Sequence, residues 1–308
     1  MTTPHTPVLL KEVLQYLSPT DGEIYVDGTF GAGGYTKAIL DSANCNVYAI
    51  DCDPNVLPTA NKLAEEYKGR FNFLQGKFSR MADLLEQEGI KGVNGVVLDI
   101  GISSMQVDEA ERGFSFMREG PLDMRMSQDG MDAATFINNA EEKELANTIY
   151  RYGGEKKSRY IAKAILQARE KSPISTTTEF AKIVRDAIHG KKEKIDQATR
   201  TFQAIRIWVN DELGELSRAL EAAMKILLPG GRLVVVSFHS LEDSIIKEFL
   251  NEKSGKNDGV SRHVLVFHNE KPKLDFELIT RKVVIPSEEE TNNNPRARSA
   301  KLRAAKRI

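Results

Sequence analysis

Two segments, read together, constrain this chain more than any others. Residues 26–35, VDGTFGAGGY, form an apolar strand that runs into a glycine turn, with a helix expected from Tyr35 to Leu40. Residues 47–54, VYAIDCDP, form a second strand that ends on Asp51 and Asp53. The acids follow the glycines by about 20 residues, the spacing at which a βαβ unit holds a nucleoside cofactor. Glycines let the backbone come close to the ligand, and a carboxylate at the next strand end accepts hydrogen bonds from ribose hydroxyls.

The turn discriminates among cofactors. A dinucleotide fingerprint needs a third glycine three positions after the second; counted from Gly31 and Gly33, that position is Thr36. A P-loop needs Gly-Lys-Ser/Thr, and here Lys37 follows Tyr35 and Thr36. Asp27, at the first strand end, would repel a phosphate and suits the cationic end of S-adenosylmethionine. A glycine turn with no ligand is the plainer alternative.

The 308 residues suffice for a sizeable core in one large domain or two modest ones. Strands are expected at Ile24–Phe30, Asn46–Asp51, Phe71–Gln75 and Gly95–Ile100, alternating with helices, which implies a parallel sheet covered on both faces. From about Ser104 to Arg206 the pattern turns helical, with helices expected at Asp132–Asn138, Glu141–Tyr152, Lys157–Glu170, Thr177–Ile188 and Thr199–Asn210. A strand resumes at Gly231–His239 and a helix follows from Leu241 to Leu250. Val264–Phe267 and Leu278–Ile285 read as an edge hairpin. The expected fold is α/β, with a methyltransferase domain in two parts, 1–104 and 207–308. A helical insertion, 105–206, follows the fourth strand and overhangs the strand ends, where open α/β sheets bind ligands.

Formal net charge is −1, so any nucleic-acid surface must be local. The final stretch, 294–308, carries Arg296, Arg298, Lys301, Arg303, Lys306 and Arg307 with no acid, and reads as a phosphate-contacting tail. Arg112, Arg118 and Arg125, and the cluster Lys156, Lys157, Arg159 and Lys163, are further candidates for RNA contact, with a salt-bridged surface as the alternative for the second group. Cys45 and Cys52 form no CxxC pair and have no histidine nearby, so no metal is expected and a reducing, cytoplasmic setting is. No stretch of about 18 apolar residues suggests a membrane span.

Several further segments carry a resemblance. They are HTPVLL (5–10), DGTFGAGG (27–34), LDIGISS (98–104), RGFSF (112–116), PLDMRM (121–126), ATRTFQA (198–204), VNDEL (209–213), SFHSLED (237–243) and PRARSAKLR (295–303). Together, in this order, they resemble the bacterial 16S ribosomal RNA cytosine-N4 methyltransferases, the MraW or RsmH family. The resemblance runs from residue 5 to about residue 305. It departs at Met105, where proline is common, at Gly153-Gly154-Glu155, where Gly-Glu-Glu is usual, and at residues 194–197, where a His-Pro pair is common.

The resemblance implies a Rossmann-like fold with an inserted helical domain, S-adenosylmethionine as cofactor, and a decoding-centre cytidine in 16S ribosomal RNA as substrate, within the small subunit. It implies that Gly33, Gly34 and Tyr35 contact the methionine part of the cofactor. It favours Asp53 for the ribose, although strand-end geometry alone would allow Asp51. It assigns Asp99 and Gln106 to the cofactor pocket. Phe78, after the third strand, is expected against the adenine. Asp99 is also expected to accept a hydrogen bond from the target amine. A cysteine nucleophile is not expected, because neither thiol stands at the fourth or fifth strand end. His239 and Glu242 read as a helix cap or as holders of the target base, and His5 as part of a covering segment. Methylation of another nucleic-acid amine, and a non-catalytic RNA-binding assembly factor, remain as alternatives.

Overall fold

A computed structural model describes residues 7–188, 195–256 and 274–308. His5, His189, Lys194, His263, His268 and the expected strand Val264–Phe267 lie outside them. The chain divides into two compact units, one formed by 1–101 with 213–308 and the other by 102–212.

The first unit is built on a seven-stranded sheet in the order β3-β2-β1-β4-β5-β7-β6. The strands are β1 Ile24–Asp27, β2 Asn46–Asp51, β3 Phe71–Gln75, β4 Val93–Ile100, β5 Leu227–Ser237, β6 Phe276–Leu278 and β7 Lys301–Arg307. β1 to β5 pair in parallel, while β7 runs antiparallel between β5 and β6. The helices of this unit are α1 Leu10–Leu17, α2 Gly34–Ser42, α3 Leu57–Glu66 and α4 Met81–Gln87. Those of the second unit are α5 Ser104–Asp108, α6 Ala133–Asn139, α7 Glu142–Gly153, α8 Ser158–Arg169, α9 Thr177–Ala187 and α10 Thr199–Asn210. The chain then returns to the sheet through α11 Glu212–Ile226, followed by α12 Ser240–Lys253 and α13 Glu288–Asn293. This is the Rossmann-like α/β fold expected.

The sheet core explains why these stretches became strands. Val96, Leu98, Leu233 and Val235 are fully buried and pack with Leu216, Leu220 and Ala223 of α11. Strands covered on both faces read as continuous apolar runs, and β4 and β5 do. The helices α1 and α11 lie outside the sequence expectations. The strand order reverses between β1 and β4, so a crevice opens beyond their carboxyl ends. Asp27, Asp51 and Asp99 all stand at such ends, with Asp99 level with Val236 of β5.

The second unit has its own core. Phe136, Ile149, Ile161, Ile165, Phe180 and Phe202 are buried together, and Trp208 stacks on Phe136 with ring centroids 3.6 Å apart. The N-caps Asp132 and Thr176 fix the starts of α6 and α9, each side chain accepting a backbone N–H.

Two expectations are corrected. The basic stretch 294–308 is not a free tail, because residues 301–307 are an inner strand of the sheet. Leu302, Ala304 and Ala305 are buried, Lys301 and Arg303 pair with Asp243, and Arg307 pairs with Asp275. The segment 278–285 is mostly irregular; its strand content is β6, which ends at Leu278, and an isolated bridge from Val284 to Leu302. The described neighbour of β6 is β7.

Candidate active site

The site is built from the glycine turn outward. Gly33 is the N-cap of α2 at φ 77°, a left-handed conformation that favours glycine. Gly34 opens the helix, and a Cβ there would lie 2.3 Å from Pro7. Its absence therefore serves chain packing as well as ligand approach. The N-cap residue has no side chain to offer, which leaves the first two helical amides, of Gly34 and Tyr35, as anion-compatible donors.

Asp27 holds this turn from below. Its buried carboxylate accepts from the Thr29 N–H (3.2 Å), the Thr36 N–H (3.1 Å) and the Thr36 hydroxyl (2.7 Å). The expectation that Asp27 faces the cationic end of a cofactor is thus revised: its carboxylate is buried and bonded to the turn, so it acts on the crevice through its field and not by contact. Burial pushes its carboxyl up to about 6; the bonds from Thr36 and Thr29 work against that, and Asp51 adds to it.

The end of β2 ties the same loop from the side. Asp51 accepts from the N–H of Gly31 (2.7 Å) and of Asp53 (2.9 Å). Burial raises its carboxyl despite these bonds. Asp53 is 2% exposed and accepts from the Asn55 N–H at 3.1 Å, capping the short helical turn that starts at Pro54. So Asp51 shapes the glycine turn, while Asp53 stands one step beyond it. Phe78 follows β3 half-buried against the sheet core, its Cβ 3.5 Å from where a Gly28 Cβ would sit.

Asp99 stands near the carboxyl end of β4. Its backbone N–H donates to the Thr29 hydroxyl at 2.7 Å, which fixes the β4 tip to the glycine turn. Its Oδ1 is shielded from solvent and has no hydrogen-bond partner among the described residues. Such an atom is costly unless a ligand satisfies it. The Tyr35 hydroxyl donates to the Val8 carbonyl and lies near enough to Asp99 to work against the rise of its carboxyl. Burial, with the charges of Asp27 and Glu242, pushes the Asp99 carboxyl up to about 7.

Glu242 and His239 complete this edge. Gly101 has no side chain, and a Cβ there would meet the Phe238 ring at 3.0 Å, so the chain after β5 lies against the β4 tip. His239 is the N-cap of α12, its Nδ1 accepting from the Glu242 N–H at 3.3 Å. Glu242, 1% exposed, accepts from the Phe238 N–H (2.8 Å) and the His239 N–H (3.2 Å). This reciprocal arrangement is a capping box, so the helix-cap reading describes both residues.

The first unit therefore brings Gly33, Gly34, Tyr35, Asp53, Phe78 and Asp99 to the ends of its first four parallel strands. Tyr35 differs from expectation, because its side chain is buried within the protein and leaves only its backbone to a ligand. Gln106 belongs to the second unit, where its Oε1 accepts from the Ser103 N–H at 3.0 Å and closes a capping box at α5. Sequence reasoning missed Thr29, Thr36 and the Tyr35 hydroxyl, which set the positions of the two buried acids. Hydroxyls inside a turn carry no periodic signal. Burial raises both thiols, Cys52 to about 12, so neither is an activated nucleophile.

The sequence profile of the MraW methylase family matches residues 2–308. This chain belongs to the MraW methylase family. Within it, the ribosomal RNA small subunit methyltransferase H of Paramagnetospirillum magneticum is 53% identical over 304 residues, which is 99% of this chain and 96% of that protein. The protein of the same name from Maricaulis maris is 54% identical over 302 residues (98% and 90%). That of Rhodospirillum rubrum is 50% identical over 308 residues (99% and 94%). MraW-family membership thus spans both units of the chain, the strand-tip acids and α8 alike.

Proposed function

We propose that this chain transfers a methyl group from S-adenosylmethionine to the exocyclic N4 amine of a cytidine in the decoding region of 16S ribosomal RNA. One observation carries the proposal furthest: the strand tips of this MraW-family chain gather Asp27, Asp51, Asp53 and Asp99, and Asp27, Asp51 and Asp99 form no ion pair among the described residues. Such a crevice repels a phosphate and favours a sulfonium. The relatives named as small-subunit ribosomal RNA methyltransferases support the substrate.

When bound, S-adenosylmethionine supplies an electrophilic methyl group on a cationic sulfur. In this reading the Gly33–Tyr35 backbone holds the methionine part, Asp53 the ribose and Phe78 the adenine. Gln106 joins them on the strength of the resemblance. The orphaned Oδ1 of Asp99 accepts a hydrogen bond from the target amine. That bond favours a pyramidal nitrogen, whose lone pair is otherwise delocalised into the cytosine ring. A carboxyl raised to about 7 also takes the surplus proton at neutral pH. Holding the two reactants in line supplies much of the rate. The helical unit, 102–212, is assigned to substrate recognition. No described helix is long and apolar enough to cross a membrane, and the cytoplasm, where small subunits are assembled, is the setting this substrate requires.

Mass analysis of small-subunit RNA nucleosides from a strain lacking the gene tests the reading. N4-methylcytidine is expected to fall and to return with the wild-type gene; an unchanged level sinks it. Calorimetric titration with S-adenosylmethionine separates the non-catalytic alternative, which expects no binding.

A further inference from the structure

The turn between α7 and α8 gathers side chains of one character. Between residues 145 and 169 the sequence has a single acid, Glu155. That acid is buried: it accepts from the Lys157 N–H at 2.9 Å and lies 3.5 Å from Arg200. Around it, Arg151, Lys156, Arg159 and Lys163 are exposed. No ion pair engages Lys156, Arg159 or Lys163 among the described residues. The contrast lies within the same unit, where Lys182 pairs with Asp186 and Arg185 with Asp196. The salt-bridged surface expected as the alternative for this cluster is therefore not what these three residues form.

Two tyrosines flank the same turn, Tyr150 at 62% exposure and Tyr160 at 71%. Among the described residues they are the only aromatic side chains in the exposed class. Neither belongs to the core of the unit, which is closed by Ile149 and Ile161 beside them. The chain fixes their helices without them: Gly154 turns left-handed and donates its N–H to the Tyr150 carbonyl, and the Ser158 N–H donates to the Glu155 carbonyl. Folding thus leaves two rings in water amid unpaired cations.

We propose that this surface docks a single-stranded segment of RNA, with Tyr150 and Tyr160 as stacking platforms for bases and Arg151, Lys156, Arg159 and Lys163 on the phosphates. Every base has a π-face, and aromatic rings interleaved with cations are the general means of holding an unpaired strand. A duplex keeps its bases stacked inside and offers the rings nothing, so the surface selects single strands. The proposal rests on the RNA-methyltransferase reading and adds to it a docking site on the second unit.

The test uses the full chain and a fluorescein-labelled single-stranded RNA of decoding-region sequence, alone and annealed to its complement. Arg159→Gln with Lys163→Gln is expected to lower the slope of log affinity against log salt by about 1.4, from about 0.7 per phosphate on a single strand. Tyr150→Ala with Tyr160→Ala is expected to weaken single-strand binding about tenfold or more at an unchanged slope, with duplex binding unaffected. Tyr150→Trp with Tyr160→Trp should retain the affinity. Wild-type single-strand affinity and slope in both loss variants would overturn the docking site, and equal loss on single strand and duplex would overturn stacking. Thermal melts and S-adenosylmethionine titration of each variant control for folding. Methyl transfer by the wild-type protein, measured alongside, reports on the reaction separately from the docking surface.

Discussion

Two basic runs in this chain look alike as strings and differ as structures. Residues 301–307, KLRAAKR, form β7, with Leu302 and Ala304 buried at every second position and Lys301 and Arg303 held by Asp243. Residues 156–163, KKSRYIAK, lead into and form the first part of α8, with Ile161, Ala162 and Ile165 buried at helical spacing and with Lys156, Arg159 and Lys163 in no ion pair among the described residues. The period of the small apolar residues separates them, not the charge count. Partner acids decide the rest: Asp243 stands 60 residues before Arg303 in the sequence and beside it in space.

The strongest way to break the comparison is to remove β7. A chain ending at Ala300 is expected to lose cooperative unfolding altogether, because β5 and β6 lose their common neighbour. Circular dichroism melts would show this, and a truncated chain that melts like the full one would return the segment to the status of a tail. The next effect concerns charges that are buried and unpaired, the reverse of both runs. Asp99→Ala is expected to slow methyl transfer by about 10²–10⁴-fold while the melt persists. Wild-type turnover in that variant would remove Asp99 from the mechanism.

Arg303→Ala sharpens the contrast at smaller scale. Breaking a half-shielded, charge-assisted bond should cost about 2 kcal/mol, read from the urea midpoint, with no change in the salt slope of RNA binding. A shallower slope at unchanged stability would place β7 in the same class as α8.

An effect of similar size is a pH dependence with two opposing limbs. Asp27 and Asp99 are raised, to about 6 and about 7, so the folded state holds protons that the unfolded chain releases near pH 4. Their contribution makes stability rise as pH falls from about 7 towards 4. Asp243 behaves oppositely. Burial raises its carboxyl, but the bonds and charges of Arg303 and Lys301 outweigh this and hold it below the usual range. Its stabilisation is present above about pH 4 and is lost as pH falls through its lowered value. Asp99→Asn is expected to add about 1–3 kcal/mol at pH 8 and nothing near pH 4, measured by urea unfolding at both. An equal gain at both would show that its ionisation is not the cause.

Most of the sheet was legible because its information is local. β2, β3 and β4 are apolar runs punctuated by turns and acids, and the inserted helices announce themselves by period and caps such as Asp132 and Thr176. β7 was not legible, since seven residues with four cations read as solvated until Asp243 and Asp275 are placed beside them. At the candidate site, the glycines and acids were legible as types at a spacing. What each acid holds was not: Asp51 grips Gly31, Asp27 grips Thr36, and the Tyr35 hydroxyl turns inward, because each depends on contacts between separate loops. Tyr150 and Tyr160 carried no signal, as a helical pattern marks them outward-facing without saying that nothing covers them.

The place of β7 in the sheet also sets an order on synthesis. β6 leaves the ribosome before β7, yet among the described residues it joins the sheet only through β7. The described partner of that β5 edge is therefore missing from the nascent chain until residue 307 has been made, and an interrupted product would carry a sticky margin. Proteolysis of such fragments would leave in the cell mainly chains whose last strand has closed the sheet.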